Sequence, residues 1–284
     1  MLLPQPDLTR SPRDQDEGTR STVGEVLAIA PDTYVVPGWW SSPGRAGGLA
    51  LGSLVVRGRS CAVVDTAPAP LADDWLAAVL ALVDPGEVRW IVASALDPVR
   101  AGCVPALQTL APRATVVVPG RGCATLDLGD GTVVHVHEDP GPGAPPAPAP
   151  STTGGPSAPA PLPAVPPGQL VVEVRHRRLL WTDLVGGPLP RPATDVAVLD
   201  DATLVAALAG RPRPLLAGEA ERTAALDLRV LASPLGPVAR GRSIGRVLDL
   251  TEAAEARRPA TALPLAALTG PLGREPWSGP APAP

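Results

Sequence analysis

The stretch Trp90-Ile91-Val92-Ala93, followed by Ser94-Ala95-Leu96-Asp97-Pro98-Val99-Arg100-Ala101-Gly102, decides how the chain is read. Four apolar residues fit a buried strand, and the loop after them sits where that strand hands over to a helix. A strand handing over to a helix is where layered α/β proteins hold their ligands. The loop is therefore the first candidate for a site.

Working upstream, Ser60-Cys61-Ala62-Val63-Val64 pairs by pattern with Gly52 to Gly58 as a hairpin and ends in Asp65-Thr66. Val26 to Ala30 and Thr33 to Val36 read as two further strands. Between this group and Val88–Ala93, residues 70–83 predict a helix, because Leu71, Trp75, Leu76, Val79, Leu80 and Val83 recur at three- and four-residue spacing. Asp73 and Asp74 suit its positive N-terminal end, and Pro85-Gly86 stops it.

Downstream, residues 104–110 predict a short helix and 114–118 a strand. Asp130-Gly131 is a turn signal inside a hairpin that continues into Thr132-Val133-Val134-His135-Val136-His137. Gln169 to Val174 and Leu179 to Asp183 form a second hairpin around the basic turn at Arg175–Arg178, which reads as an exposed turn, His176 included. Helices are expected over 204–208, 217–226 and 244–257, with a strand over 227–232. Strands alternating with helices imply an α/β fold with mixed or parallel sheets and helices outside.

Composition sets the outer limits. The 284 residues are 45% hydrophobic and 18% charged, enough to bury a large core. Phe is absent and Tyr occurs once, so Val, Leu, Ala and six Trp must fill it, and no aromatic platform for single-stranded nucleic acid exists. A net charge of −4 gives no electrostatic reason to bind nucleic acid or an anionic membrane, which leaves a small molecule or a protein as partner.

The organisation expected is a disordered tail over residues 1–22, one domain over 23–273, and a second tail over 274–284. The domain is interrupted at about 140–168, a stretch that carries 12 of the chain's 39 prolines and too little apolar bulk to fold. We read this insertion as a solvated spacer. With neither a signal-peptide pattern nor a membrane-length apolar run, a soluble cytoplasmic protein is expected.

The ordered set of Val63-Val64-Asp65-Thr66, the Trp75 helix and Val88 to Ser94 resembles the metallo-β-lactamase superfamily, with spacing closest to its oxygen-binding diiron branch, which includes the flavodiiron proteins. The resemblance extends to Leu180-Trp181-Thr182-Asp183 and to Ala232-Ser233-Pro234-Leu235-Gly236-Pro237, and it implies a four-layer αββα sandwich of two mixed sheets with helices outside. It also implies a metal loop of the form Ser/Asn-His-x-(His/Glu/Asp)-x-Asp-His-x-Gly after the Trp90 strand.

Against that motif the first His position is Ala95, the acidic position keeps Asp97, the second Asp position is Val99 and the adjacent His is Arg100. A further His position has no match beyond Pro142. The bridging carboxylate corresponds to Asp183, and the last His to Leu235. Two carboxylates remain of a two-metal ligand set, and Arg100 puts a permanent positive charge where an imidazole would bind a dication.

The leading expectation is accordingly a degenerate, metal-free protein of this fold, without catalytic residues or cofactor, that acts in binding or regulation. Arg100 is expected within salt-bridge reach of Asp97 or Asp183, in place of the cation. A rival reading is a metal-dependent hydrolase or diiron-type oxidoreductase with a rewired zinc or diiron site built from Asp97, Asp183, His135 and His137. A third is a scaffold that contacts partners through the proline-rich insertion.

Three lesser candidates complete the survey. Cys103, at a helix entrance beside Arg100, is a candidate reactive thiol, against a structural reading for all of Cys61, Cys103 and Cys123. Ser94 has no His near it in sequence for a Ser-His-Asp triad. Gly120-Arg121-Gly122 is too short for a dinucleotide fingerprint.

Overall fold

A computed structural model describes residues 21–41, 47–118, 124–136, 169–174, 177–211, 215 and 218–257. Thirteen strands form two sheets. The first contains β1 (Thr22–Val23), β2 (Leu27–Ala30), β3 (Thr33–Ser41), β4 (Gly48–Val56), β5 (Cys61–Val64), β6 (Val88–Val92) and β7 (Thr115–Val117). It runs in the order β1-β3-β4-β5-β6-β7, with β2 also paired to β3.

The second sheet contains β8 (Ala124–Gly129), β9 (Thr132–Val136), β10 (Leu170–Val174), β11 (Arg177–Trp181), β12 (Leu228–Ser233) and β13 (Gly236–Arg240), in the spatial order β13-β12-β11-β10-β9-β8. Both sheets are mixed. Pairs β5–β6, β6–β7 and β11–β12 are parallel, and every other pairing is antiparallel.

The two-residue period of the strands sorts the apolar side chains into layers. On the central strands, Leu54, Val56, Ala62, Val64 and Val92 face the other sheet, where they meet Val134, Leu170, Val172, Leu179, Trp181 and Val230. Their neighbours Val55, Val63 and Ile91 face outward onto α1 (Ala72–Leu80) and α3 (Val104–Leu110), through Trp75, Val79 and Leu107. On the far side Leu231 and Ala239 pack on α4 (Asp201–Ala209) and α6 (Arg242–Ala256) through Leu204, Leu208, Ile244 and Val247. The result is the expected αββα sandwich, and strands buried on both faces explain the unbroken apolar runs of the sequence.

Element boundaries follow local chemistry. The predicted helix over 70–83 begins as a 3-10 turn at Ala69–Leu71 and is α-helical from Ala72 to Leu80. Helix α5 (Glu219–Ala224) is capped from a distance, since the Glu255 carboxylate on α6 accepts from the backbone N–H of Gly218 and Ala220 at 2.9 and 3.1 Å.

Strand β13 was not expected, because Pro234-Leu235-Gly236-Pro237 reads as a turn. Its Pro is tolerated because β13 is the edge of its sheet, where one side of the ladder has no partner. Among the described residues no helix is long and apolar enough to cross a membrane. The proline-rich insertion falls outside the described residues; Val136 and Leu170, on either side of it, are cross-strand partners in antiparallel β9 and β10.

Candidate functional site

Strands β5 and β6 are parallel neighbours, so the residues just past their C-terminal ends, Asp65 and Ser94, come together. Asp65 is fully buried and holds φ at 53°, a left-handed conformation that Asp tolerates better than most residues. Its carboxylate accepts three hydrogen bonds. Ser94 N donates to Oδ1 at 2.7 Å, while Ser94 Oγ and Trp181 Nε1 donate to Oδ2, each at 2.7 Å. Trp181 lies in the core between the sheets, so this carboxylate ties the end of one sheet to the end of the other.

Burial pushes the Asp65 carboxyl up to about 6, against the hydrogen bonds from Ser94 and Trp181 and the charge of Arg100, which favour ionisation. Its neighbour Thr66 fixes the loop. Thr66 N and Oγ1 both donate to Arg100 O, at 2.6 and 3.0 Å, and Cys103 N donates to Thr66 Oγ1 at 3.1 Å. Gly102 is required by close approach, since a Cβ there would lie 2.5 Å from Pro98 O and 2.7 Å from Ala69 N.

The loop itself contains a short helix that was not expected. Asp97 caps the short helix α2 (Pro98–Ala101), its Oδ1 accepting from Val99 N at 2.9 Å and Arg100 N at 3.0 Å. Its other oxygen, Oδ2, accepts from Arg100 Nε at 2.6 Å. Across the gap between the sheets, Asp183 opens a 3-10 turn (Asp183–Val185) after β11, and its Oδ2 accepts from Arg100 Nη1 at 3.4 Å.

The guanidinium expected near Asp97 or Asp183 thus bridges both. Arg100 and Asp183 are well buried, with side chains 13% and 12% exposed, whereas Asp97 is 37% exposed. Burial alone would lower the Arg100 pKa, but the charges of Asp183, Asp97 and Asp65 outweigh it and hold the group above its ordinary value. One cation and three carboxylates occupy the sheet ends.

Other sequence candidates fall elsewhere. Ala95 is half-buried in the loop, Val99 packs with the apolar layer beneath α1 and α3, and Leu235 is buried in that same layer. None of the three offers a donor atom. His135 lies on β9 between Val134 and Val136, which face the inter-sheet core, so it projects from the opposite face of its sheet. There its Nε2 lies 3.8 Å from Glu173 Oε2 and its Nδ1 3.4 Å from Thr125 Oγ1, and burial lowers its pKa.

His135 is therefore not brought to Asp97 and Asp183. His137, Pro142, His176, Cys123 and the Gly120–Gly122 run lie outside the described residues. Of the two readings of Cys103, the buried structural thiol fits its surroundings. It is fully enclosed, its Sγ faces Pro68 O at 3.6 Å, and burial raises it to about 11 despite its place beside Arg100 and a helix entrance. The Ser94 hydroxyl is committed to Asp65.

The residues that the sequence reading passed over are Asp65, Thr66 and Trp181. The signal was present in the Asp-Thr pair ending a fully apolar strand beside the Ser94 strand. What makes it a site, the reach of the Trp181 indole from a residue 116 positions away, is not visible in sequence order.

This arrangement defines a class of fold, the metallo-β-lactamase-like αββα sandwich, with Asp65, Asp97, Arg100 and Asp183 at the sheet ends. The solved structures it resembles are flavodiiron proteins and their relatives. One is a diflavin flavoprotein A 5 fragment from Nostoc sp. PCC 7120, at 22% identity and TM-score 0.55, covering 84% of this chain and 98% of that one. A second is the rubredoxin oxygen:oxidoreductase of Desulfovibrio gigas, at 16% identity and TM-score 0.57, covering 83% of this chain and 62% of that one. A third is the flavodiiron protein of Giardia intestinalis, at 13% identity and TM-score 0.55, covering 82% and 59%.

This chain thus spans less than two thirds of the Desulfovibrio and Giardia chains. No protein-family profile matches it, and no curated protein matches it significantly.

The two-metal centre implied by this fold does not fit the residues present. Both Asp97 oxygens already accept hydrogen bonds, Asp183 faces a guanidinium, and Ala95, Val99 and Leu235, which the resemblance assigns to ligand positions, carry no donor atom. Among the described residues no group of three or more His, Cys, Asp or Glu is arranged to hold a metal ion. Two carboxylates with no imidazole beside them among the described residues make a weak donor set, and a guanidinium between them repels a dication.

Proposed function

We propose that this chain is a metal-free protein of the metallo-β-lactamase-like fold, retained for binding or regulation and not for metal-dependent hydrolysis or oxidoreduction. One observation carries the proposal. The Arg100 guanidinium lies 2.6 Å from Asp97 and 3.4 Å from Asp183, so one cation from within the chain bridges the two carboxylates that the resemblance assigns to ligand positions. A positive charge at that point does for the fold what a cation would do, since carboxylates at low exposure need a partner. It supplies no Lewis acid and activates no water.

In this reading the residues around the site have positioning roles. Asp65 and Trp181 tie the two sheets together, and Thr66 and Gly102 hold the loop so that Arg100 reaches Asp183. The domain spans residues 23–273 with the proline-rich insertion as a spacer between β9 and β10, and the surface around Arg100 receives a small ligand or a segment of a partner protein.

The test is a calorimetric titration of the full chain with Zn²⁺, Mn²⁺ and anaerobic Fe²⁺. No saturable binding at the site is expected. A stoichiometric complex that disappears on Asp183→Ala would sink the proposal and favour a rewired metal site.

A further inference from the structure

At the opposite end of the sandwich, the N-terminal ends of β11 and β12 and the C-terminal end of β13 come together. There Arg178, Arg229 and Arg240 line a cleft of about 180 Å³, whose apolar wall is Ile29, Leu179 and Val230. Asp183 lies five residues from Arg178 along β11, which places the cleft roughly 16 Å from the Arg100 site.

The register shows how the arginines converge. Arg178 pairs with Leu228, Leu179 with Val230, and Val230 with Arg240, so Arg229 is the extra residue of a bulge between β11 and β12. Bulges of this kind re-aim a side chain, here on an edge shared by three adjacent strands.

Two of the guanidiniums are partly engaged. Arg178 Nε donates to Glu173 Oε1 at 2.8 Å, and Arg240 Nη1 reaches across to Ala28 O at 3.3 Å, bridging the sheets at the mouth. Arg229 is exposed and has no hydrogen-bond or ion-pair partner among the described residues. Among the described residues no carboxylate lines the cleft, and the nearby Glu173 carboxylate is taken up by Arg178, whose Nη1 also donates to Leu226 O at 3.5 Å. Arg229 and Arg240 are left as two uncompensated like charges at the concavity, and planar forks of N–H donors match the oxygens of a phosphate group.

We infer that this cleft binds the phosphate group of a small ligand, with the guanidiniums on the oxygens and the ligand's apolar part on Leu179 and Val230. Its volume is below the roughly 300 Å³ at which pockets for whole drug-sized molecules begin, so it takes a headgroup and a few carbons. The site is independent of the Arg100 cluster and does not depend on how that cluster is read.

Calorimetric titration of the full chain at constant ionic strength, with inorganic phosphate and with phenyl phosphate, tests this. Saturable binding is expected for both, tighter for phenyl phosphate because of the apolar wall. Equal affinity for the two also supports the site and assigns it to free phosphate.

Arg229→Gln should weaken binding at least ~10-fold, as loss of a charge-assisted hydrogen bond does, with an unchanged Tm because the side chain is exposed. Arg240→Gln provides the second variant, and Arg100→Gln should leave phosphate binding unchanged. Absence of saturable binding, equal binding by the wild type and Arg229→Gln, or loss of binding on Arg100→Gln would each overturn the inference.

Discussion

Replacing Arg100 with Met leaves a similar apolar stem and removes the cation between Asp97 and Asp183, so it isolates charge from packing. At the 3.4 Å separation of Arg100 and Asp183, the gross attraction is about 5 kcal/mol at an effective dielectric constant of ~20. Desolvation offsets much of it. What remains measurable is the cost of leaving a carboxylate unpaired, about 3–5 kcal/mol when fully buried.

Asp183 is 12% exposed and sits near that regime, while the pair with Asp97, at 37% exposure, adds only about 0–1 kcal/mol. A loss of about 3 kcal/mol follows, or roughly 6–12 °C in Tm for a domain of this size. The loss must also depend on pH. Arg100 favours the ionised form of Asp65, so its removal raises that carboxyl further above its present value of about 6. The folded variant then gains more from taking up a proton than the wild type does.

The deficit is therefore largest above pH 7 and shrinks as pH falls through 6 toward 4. Urea unfolding of both proteins at pH 8 and pH 5 measures it. Equal stability at pH 8, or a deficit that does not change with pH, would refute the role assigned to Arg100.

Asp65 makes its own prediction in the wild type. A folded-state value of about 6, against 3.8 unfolded, means that the native state binds the proton more tightly, so its stability contribution is full below pH ~4 and lost as pH rises through 6. Relative to Asp65→Asn, the wild type should lose roughly 3 kcal/mol between pH 4 and pH 7, read from denaturation midpoints; a flat difference would contradict it. Cys103 should resist iodoacetamide in the native protein and react only on unfolding, and rapid native labelling located there by mass spectrometry would restore it as a reactive thiol. Deleting residues 141–167 shortens the β9–β10 connection roughly fivefold, and about two and a half halvings of loop length lower its closure cost by about 1.5 kcal/mol. The shortened chain should be at least as stable as the full one by urea unfolding, and a large loss would mean that the insertion packs on the fold.

Much of the fold was legible because its strands are buried on both faces. Runs such as Cys61–Val64 and Trp90–Ala93 carry a continuous apolar signal, and the Trp75 helix an unambiguous period. Strand β13 was not legible, because Gly236 and Pro237 oppose strand propensity locally, and only its place at a sheet edge makes them acceptable.

At the site, the expectation for Arg100 rested on the resemblance, which sets Asp97 and Asp183 across one pocket, and on charge, since two facing carboxylates require a partner. Asp65 was passed over because its importance depends on Trp181 and Ser94 converging on one carboxylate, a three-body arrangement that spacing does not encode. The reverse holds for His135. Its alternation with His137 suggested a ligand pair, but the two-residue period that defines a strand face also turned His135 away from Asp183.

The most direct test of the account is the metal content of the full chain, expressed without a His-tag and purified without chelator, measured by plasma mass spectrometry. Iron, zinc and manganese are each predicted well below one equivalent per chain, unchanged in Asp183→Ala. A full equivalent or more of any of these metals, lost on Asp183→Ala, would contradict the claim that Arg100 has taken the place of the metal.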